Sequence, residues 1–118
     1  MKKFVFTFVT LVSSLFFLVT CKSTNGNETP KHQVDIVNFA FNPDSLSIDM
    51  GDTVLWINKG TVIHTTTSGA NGVPDGHWDS GNMAPNDSFK HVFDTTGTYP
   101  YYCAPHFSLP MTGRIIVK

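Results

Sequence analysis

Apolar side chains recur at every second position along much of this chain, which is the spacing that lines one face of an extended strand. Val34 and Ile36 alternate with polar neighbours, and so do Leu46 and Ile48. The segment 53–58 (TVLWIN) is a continuous apolar run, as expected for a strand buried on both faces. No segment after the N-terminal region keeps the roughly 3.6-residue spacing of an amphipathic helix, so we expect the chain to fold from β-strands.

Turn-forming residues separate the apolar segments at short intervals, among them Asn42-Pro43-Asp44, Gly51-Asp52 and Thr96-Gly97. Further strands are predicted at residues 62–67, 88–93, 98–103 and 114–118. The glycine-rich segment 68–82 is interpreted as a long connection that could include a short strand at residues 77–80. Many short strands with regular turns are typical of an all-β sandwich or barrel.

The N-terminus has the pattern of an export signal. Lys2 and Lys3 precede an apolar run at residues 4–19, which is shorter than the roughly 20 residues that span a bilayer. The run ends in Leu-Val-Thr-Cys, which resembles the cleavage site of bacterial lipoproteins apart from its threonine. We therefore expect a lipoprotein-type signal peptide at residues 1–20 and a lipid anchor on Cys21. A signal cut elsewhere or a retained membrane helix are the alternatives.

Residues 21–31 are polar, contain glycine and proline, and show no periodicity, so they are interpreted as a flexible tether. Residues 32–118 then form one small domain. Because of the signal peptide, the protein is expected to be exported. It would then lie in the periplasm or be held at the membrane through lipidated Cys21. Loss of Lys2 and Lys3 would change the formal net charge from −1 to −3, so nucleic-acid binding has no electrostatic support.

Near the C-terminus the segment 103–111 (CAPHFSLPM) places Cys103, His106 and Met111 within nine residues. If Cys21 carries lipid, Cys103 has no partner for a disulfide, because the chain contains only two cysteines. Cys103 could be a buried, inert side chain, or it could bind a metal. A thiolate, two imidazoles and a weak thioether, with His64 as the second imidazole, are the ligand set of a blue-copper electron-transfer site.

The spacing Cys-x2-His-x4-Met before a final strand, with a histidine upstream, resembles the cupredoxin family of plastocyanin- and azurin-like blue copper proteins. The resemblance extends over residues 33–118 and includes the segments 41–43 (FNP), 51–58 (GDTVLWIN), 97–103 (GTYPYYC) and 111–113 (MTG). It implies a Greek-key β-sandwich of about eight strands with one type 1 copper ion. By the same resemblance, His64, Cys103 and His106 would be equatorial ligands and Met111 the axial ligand.

Two positions depart from the plastocyanin-like pattern. That pattern has asparagine after the first ligand histidine and serine or threonine after the cysteine, and these two side chains tie the ligand loops together. This chain has Thr65 and Ala104 there. Since alanine has no side-chain donor, the tie is expected to use the backbone, to be made elsewhere, or to be absent.

The function implied by the resemblance is one-electron transfer between redox proteins at the cell envelope, by a monomer that is not an enzyme. Phe107 and Leu109, together with Pro105 and Pro110, could form an apolar patch around His106 where a redox partner docks. The alternative is a periplasmic protein for copper storage or delivery. An enzyme such as a copper nitrite reductase would need a second copper and a second domain.

The remaining histidines and methionines are interpreted as structural. His32 adjoins the tether and is expected to be solvated, and His91 is expected to be partly buried and neutral. His77 lies in the glycine-rich connection, where it could bind a stray ion. Met50 and Met83 are expected to pack against the core.

Overall fold

The computed structural model describes residues 30–118, so the expected signal peptide, Cys21 and nearly all of the tether lie outside the described residues. No helix long and apolar enough to cross a membrane occurs between residues 30 and 118. The described strands are β1 (His32–Val37), β2 (Ala40–Asn42), β3 (Ser45–Ile48), β4 (Thr53–Asn58), β5 (Thr67–Ala70), β6 (Val73–Asp79), β7 (Ser88–Val92), β8 (Gly97–Tyr102) and β9 (Thr112–Val117). A short 3-10 helix, Ala104–His106, lies between β8 and β9.

The strands form two sheets, with the orders β2-β1-β4-β7 and β3-β9-β8-β5-β6. The chain crosses repeatedly between the sheets, so β1–β4 and β3–β9 pair in parallel while the other strand pairs are antiparallel. The all-β sandwich expected from the sequence is confirmed. It has nine strands within residues 30–118 because a two-residue turn folds the short β2 back onto β1.

The alternation of side chains places the core between the two sheets. Val34 and Ile36 of β1 are fully buried, whereas the polar residues between and beside them are not. Trp56 of β4 is fully buried and meets two aromatic rings of the opposite sheet, Trp78 and Tyr101, each at a centroid distance of 5.6 Å. Each large apolar side chain buried in this way contributes about 1.5–3 kcal/mol. This aromatic cluster supports β8, the strand that leads into Cys103.

The predicted strand at residues 62–67 is wrong in its position. Only His64 forms an isolated bridge, to Met83, and β5 begins at Thr67. The β-branched composition of the segment suggested a strand, but Val62 and Ile63 are exposed. A side chain replaces strand pairing here, because the amide of Asn58 donates to the main-chain oxygens of Val62 and Met83, each at 2.9 Å.

The glycine-rich connection holds more structure than the sequence indicated. It contains most of β5 and all of β6, which is longer than the short strand expected at residues 77–80. Asn71 and Gly72, both with positive φ of 54° and 74°, make the two-residue turn between these strands. Asn-Gly suits such a turn because both positions need the left-handed conformation.

The contact between Gly113 and the Tyr101 ring generates a stability prediction. The two residues are cross-strand partners in β9 and β8, and a β-carbon on Gly113 would overlap the buried ring. We expect Gly113→Ala to lower the free energy of unfolding by about 1–3 kcal/mol or more, because overpacking forces side chains or backbone to shift. Urea denaturation of the metal-free protein measures this loss. Thr112→Ala, at the exposed neighbouring position, is the matched control, and an equal loss in both variants would contradict the steric explanation.

Candidate metal centre

The four residues singled out by the sequence lie at one end of the sandwich, in or beside two loops. His64 comes from the connection between β4 and β5. Cys103 directly follows β8, His106 ends the 3-10 helix, and Met111 directly precedes β9. Residues distant in sequence therefore meet because the strands that carry them are neighbours in the sandwich.

The donor atoms of three residues converge. The Cys103 Sγ lies 3.6 Å from Nδ1 of His64 and 3.3 Å from Nδ1 of His106, and the donor atoms of the three residues lie within 4.8 Å of one another. Metal–thiolate and metal–imidazole bonds of about 2.3 and 2.0–2.1 Å, at angles near 100–120°, separate such atoms by roughly 3.3–3.8 Å. The donor set therefore fits a single metal ion. Its soft sulfur and two imidazole nitrogens are the combination that copper prefers.

Met111 lies against this group. Its side chain is 1% exposed, and its main-chain oxygen accepts a hydrogen bond from the Cys103 N–H at 3.2 Å. Within residues 30–118, His64, Cys103 and His106 are the one set of three or more metal-binding side chains of the His, Cys, Asp and Glu types that come this close.

Burial tunes the protonation of these donors. Burial lowers the pKa of His64, and a charge on His106 would lower it further. The neutral imidazole that a metal requires is therefore favoured. Burial raises the pKa of the Cys103 thiol, while the N–H of Thr65, 3.4 Å from the sulfur, acts in the opposite direction. Metal binding must therefore displace the thiol proton.

Asn58 positions the loop that presents His64. This side chain is fully buried, and besides its two donated hydrogen bonds its oxygen accepts from the Gly60 N–H at 2.9 Å. His64 is held in addition by two main-chain hydrogen bonds to Met83, of 3.2 and 2.9 Å. With its side chain 1% exposed, His64 has little room to move.

The second ligand loop is closed by its own backbone. The His106 N–H donates to the Cys103 oxygen at 3.1 Å, and the Leu109 N–H donates to the His106 oxygen at 3.0 Å. Pro105 and Pro110 restrict the backbone at both ends of this loop. His106 is only partly buried, so of the two histidines it is the one that reaches the surface.

The two ligand loops are tied together in spite of Ala104. Its main-chain N–H donates to the Thr65 hydroxyl at 2.9 Å, and the Thr65 N–H points to the Cys103 sulfur. The tie thus uses the backbone at one end and the threonine side chain at the other. Of the three alternatives that the sequence left open, the structure shows the first.

Phe39 is a residue of the site that sequence reasoning missed. It lies in the two-residue turn between β1 and β2, and its ring meets the rings of His106 and His64 edge-on at centroid distances of 4.8 and 5.8 Å. Its φ of 63° is unusual for a phenylalanine. The one signal in the sequence was a large apolar residue where a turn favours Gly or Asn.

The other histidines lie away from the site. The His32 Nε2 lies 2.8 Å from an Asp52 oxygen, so His32 is not the solvated residue expected. His91 is partly buried against Trp78 and burial lowers its pKa, in agreement with a neutral histidine. His77 packs edge-on against Tyr99. The two methionines differ: Met83 is 3% exposed and packs in the core, whereas Met50 is 59% exposed.

Several known proteins resemble this chain. It is 38% identical over 97 residues to a plastocyanin from Scenedesmus fuscus, a match that covers 76% of this chain and 98% of that protein. An amicyanin from Paracoccus denitrificans is 29% identical over 85 residues, covering 72% of this chain and 63% of the amicyanin. Among solved structures, a purple cupredoxin from Nitrosopumilus maritimus superposes with a TM-score of 0.68 at 31% identity, covering 74% of this chain and 99% of that one.

A sequence model of the copper binding proteins of the plastocyanin/azurin family matches residues 29–118. This match covers all nine described strands and every residue of the convergent group. The copper that the donor set predicts is thereby confirmed as the cofactor. The chain belongs to the plastocyanin/azurin family of copper binding proteins.

Proposed function

We propose that residues 32–118 form a type 1 copper domain that carries single electrons between redox proteins. His64, Cys103 and His106 are the equatorial ligands and Met111 is the axial ligand. The observation that carries this proposal is the convergence of one thiol and two imidazoles within 4.8 Å beside the buried Met111. The similarity to plastocyanin and amicyanin supports it.

Bound at these residues, copper would supply a one-electron couple between its Cu(II) and Cu(I) forms. The chain supplies ligands that suit both forms, since thiolate and thioether are soft donors and imidazole binds either form. It also holds those ligands still. His64 is fixed by Asn58 and Met83, and Cys103 by the end of β8 and by the Thr65 N–H. A site that changes little in shape lets an electron enter and leave with little rearrangement.

We propose that the partner docks on an apolar patch around His106, formed by Phe107 and Leu109 of the predicted patch together with Phe39. Phe39 is 47% exposed, Phe107 59% and Leu109 48%. Phe39 contacts the His106 ring, and Phe107 lies next to His106 in the chain. Exposed apolar side chains grouped in this way typically mark an interaction site, and electron-transfer encounters are small and transient. A partner docked here would lie over His106 and exchange electrons through its imidazole.

The proposed location follows from the N-terminal sequence. Residues 1–20 act as a lipoprotein-type signal, Cys21 carries the lipid, and residues 21–31 tether a monomeric domain at the cell envelope. A fully extended tether of this length reaches at most about 40 Å, so the domain stays near the membrane.

Copper storage or delivery is the competing function. Delivery to another protein needs ligands that a recipient can reach, yet Cys103 is fully buried and His64 nearly so. The burial of these two ligands favours a copper ion that stays bound to the protein, and hence electron transfer over delivery.

Substitution of the sulfur ligands tests the proposed ligand set. Because the Cys103 thiolate is the source of the charge-transfer absorption, we expect Cys103→Ser to lose the intense visible band of the oxidised copper protein. Met111→Gln should keep the band and lower the reduction potential, since the axial ligand is weak and tunes the potential. Absorption spectra and redox titrations measure both effects. Ser108→Ala, in the same loop, is the control, and an intense band in Cys103→Ser would refute the assignment.

Truncation tests the domain boundaries. We expect a protein consisting of residues 32–118 to fold and to bind one copper ion per chain, because every described strand and all four proposed ligands lie in this range. Metal analysis and thermal unfolding of the truncated and longer forms give the comparison. A clear loss of copper stoichiometry on removal of residues 1–31 would show that the domain extends further.

A charge in the apolar patch should slow electron transfer without changing the site. Two copies can exchange electrons when their patches meet, so we expect Phe107→Lys to reduce the self-exchange rate roughly tenfold or more, since opposing like charges costs several kcal/mol. The reduction potential should stay nearly unchanged. NMR line broadening in mixtures of oxidised and reduced protein measures the rate.

Val92→Lys is the matched control for the patch. Val92 is also exposed, at 55%, but it pairs with Thr53 at the start of β4, whereas His64 follows the end of that strand. An equal slowing in the two variants would mean that electrons do not pass through the patch.

A further inference from the structure

A chain of hydrogen bonds runs from the proposed copper loop to the protein surface. The Ala104 N–H donates to the Thr65 hydroxyl at 2.9 Å, the hydroxyl oxygens of Thr65 and Thr67 lie 2.9 Å apart, and the Thr67 hydroxyl donates to Asp79 Oδ1 at 3.3 Å. Thr65 and Thr67 are buried, and Asp79 is exposed on β6 opposite Thr67. The two threonines are thus the buried middle of this chain, and Ala104 and Asp79 are its exposed ends.

The carboxylate sets the direction in which both threonine hydroxyls donate. A carboxylate only accepts, and a hydroxyl has one hydrogen to donate. The Thr67 hydroxyl therefore donates its one hydrogen to Asp79 and has to accept a hydrogen bond from Thr65. The Thr65 hydrogen then points away from the copper loop, which leaves an oxygen lone pair for the Ala104 N–H.

Without the carboxylate this order is lost. Thr67 could then donate to Thr65, and the Thr65 hydrogen would be left facing the donor Ala104 N–H or the Cys103 sulfur, which is a weak acceptor. A buried hydroxyl without a good acceptor is unfavourable. The Asp79 carboxylate is itself held, since its Oδ1 also accepts from the Gly81 N–H at 2.9 Å.

We propose that Asp79 is a positioning residue for the copper site: through Thr67 and Thr65 it holds the Ala104 amide, and with it the orientation of the Cys103 loop. The Thr65 main chain provides the coupling to the metal, because Thr65 follows His64 and its N–H points to the Cys103 sulfur. Hydrogen bonds around the cysteine sulfur tune the reduction potential of such sites. This inference rests on the proposed ligand set, while the hydrogen-bond chain can be tested without metal.

Amide hydrogen exchange of the metal-free protein tests the chain itself. We expect Asp79→Ala to speed exchange at the Ala104 N–H relative to the wild type, and Thr67→Val to do the same. Asp79→Asn should leave it protected, because the amide oxygen can still accept from Thr67. Unchanged protection of Ala104 in Asp79→Ala would overturn the proposal, whatever the protein's affinity for copper.

Copper binding tests the consequence for the site. In competition with a Cu(I) chelator, we expect Asp79→Ala to weaken copper affinity about 10-fold, the lower end of the effect of losing an outer hydrogen bond. The reduction potential should fall, because a looser Thr65 N–H stabilises the thiolate less. The double variant Asp79→Ala/Thr67→Val should be no weaker than either single variant, since each already breaks the same chain.

Asp75→Asn separates positioning from simple loss of charge. Asp75 lies on the same strand but has no place in the chain of hydroxyls. Burial raises the pKa of Tyr102, and the charges of Asp79 and Asp75 are both close enough to raise it further. We expect Asp75→Asn and Asp79→Asn to shift the potential by similar small amounts, with affinity retained. If Asp75→Asn weakens copper binding as much as Asp79→Ala does, the effect is electrostatic and the positioning role is refuted.

Discussion

The hydrogen bond between the Ala104 N–H and the Thr65 hydroxyl is the contact on which the metal centre depends. One imidazole of the convergent group comes from the connection before β5, whereas the thiol and the second imidazole come from the connection before β9. The donor atoms can meet only if these two connections keep a constant separation. The hydrogen bond joins Thr65 and Ala104, the residues that follow His64 and Cys103, so it fixes this separation directly beside the donor atoms.

The rest of the sandwich supports this contact from below. Trp56, Trp78 and Tyr101 pack the two sheets together near the end of β8, so the strand that leads into Cys103 is held by the core. Asn58 does the equivalent for His64, since its buried amide bonds three main-chain groups of the surrounding loops. Because both supports are built from protein atoms alone, the donors are arranged before any metal binds. Such preorganisation suits a site that has to keep its shape while its charge changes.

This chain closes the site with residues that differ from the usual plastocyanin-like pattern. Thr65 takes over the tie that asparagine makes in that pattern, and its hydroxyl extends the network through Thr67 to Asp79. Phe39 lies over both imidazole rings from a turn in which it adopts a positive φ, an unfavourable conformation for phenylalanine. A backbone conformation of this kind persists only where the surroundings enforce it, and here its ring lies over the convergent histidines.

Local patterns in the sequence were sufficient to predict most of the strands, the sandwich and three of the four proposed donors, because strand periodicity and the spacing Cys-x2-His-x4-Met depend on neighbouring residues only. His64 was added from the chemistry of the ligand set and from the family resemblance. The identity of the copper followed from the chemistry of those donors. The sequence did not reveal that residues 62–66 leave the sheet, that Phe39 lies over His106, or that Thr65 reaches Ala104 and, through Thr67, Asp79. Each of these features joins residues far apart in the chain. Their positions depend on how the two sheets pack and on which buried polar groups need a partner, and only the tertiary structure decides that.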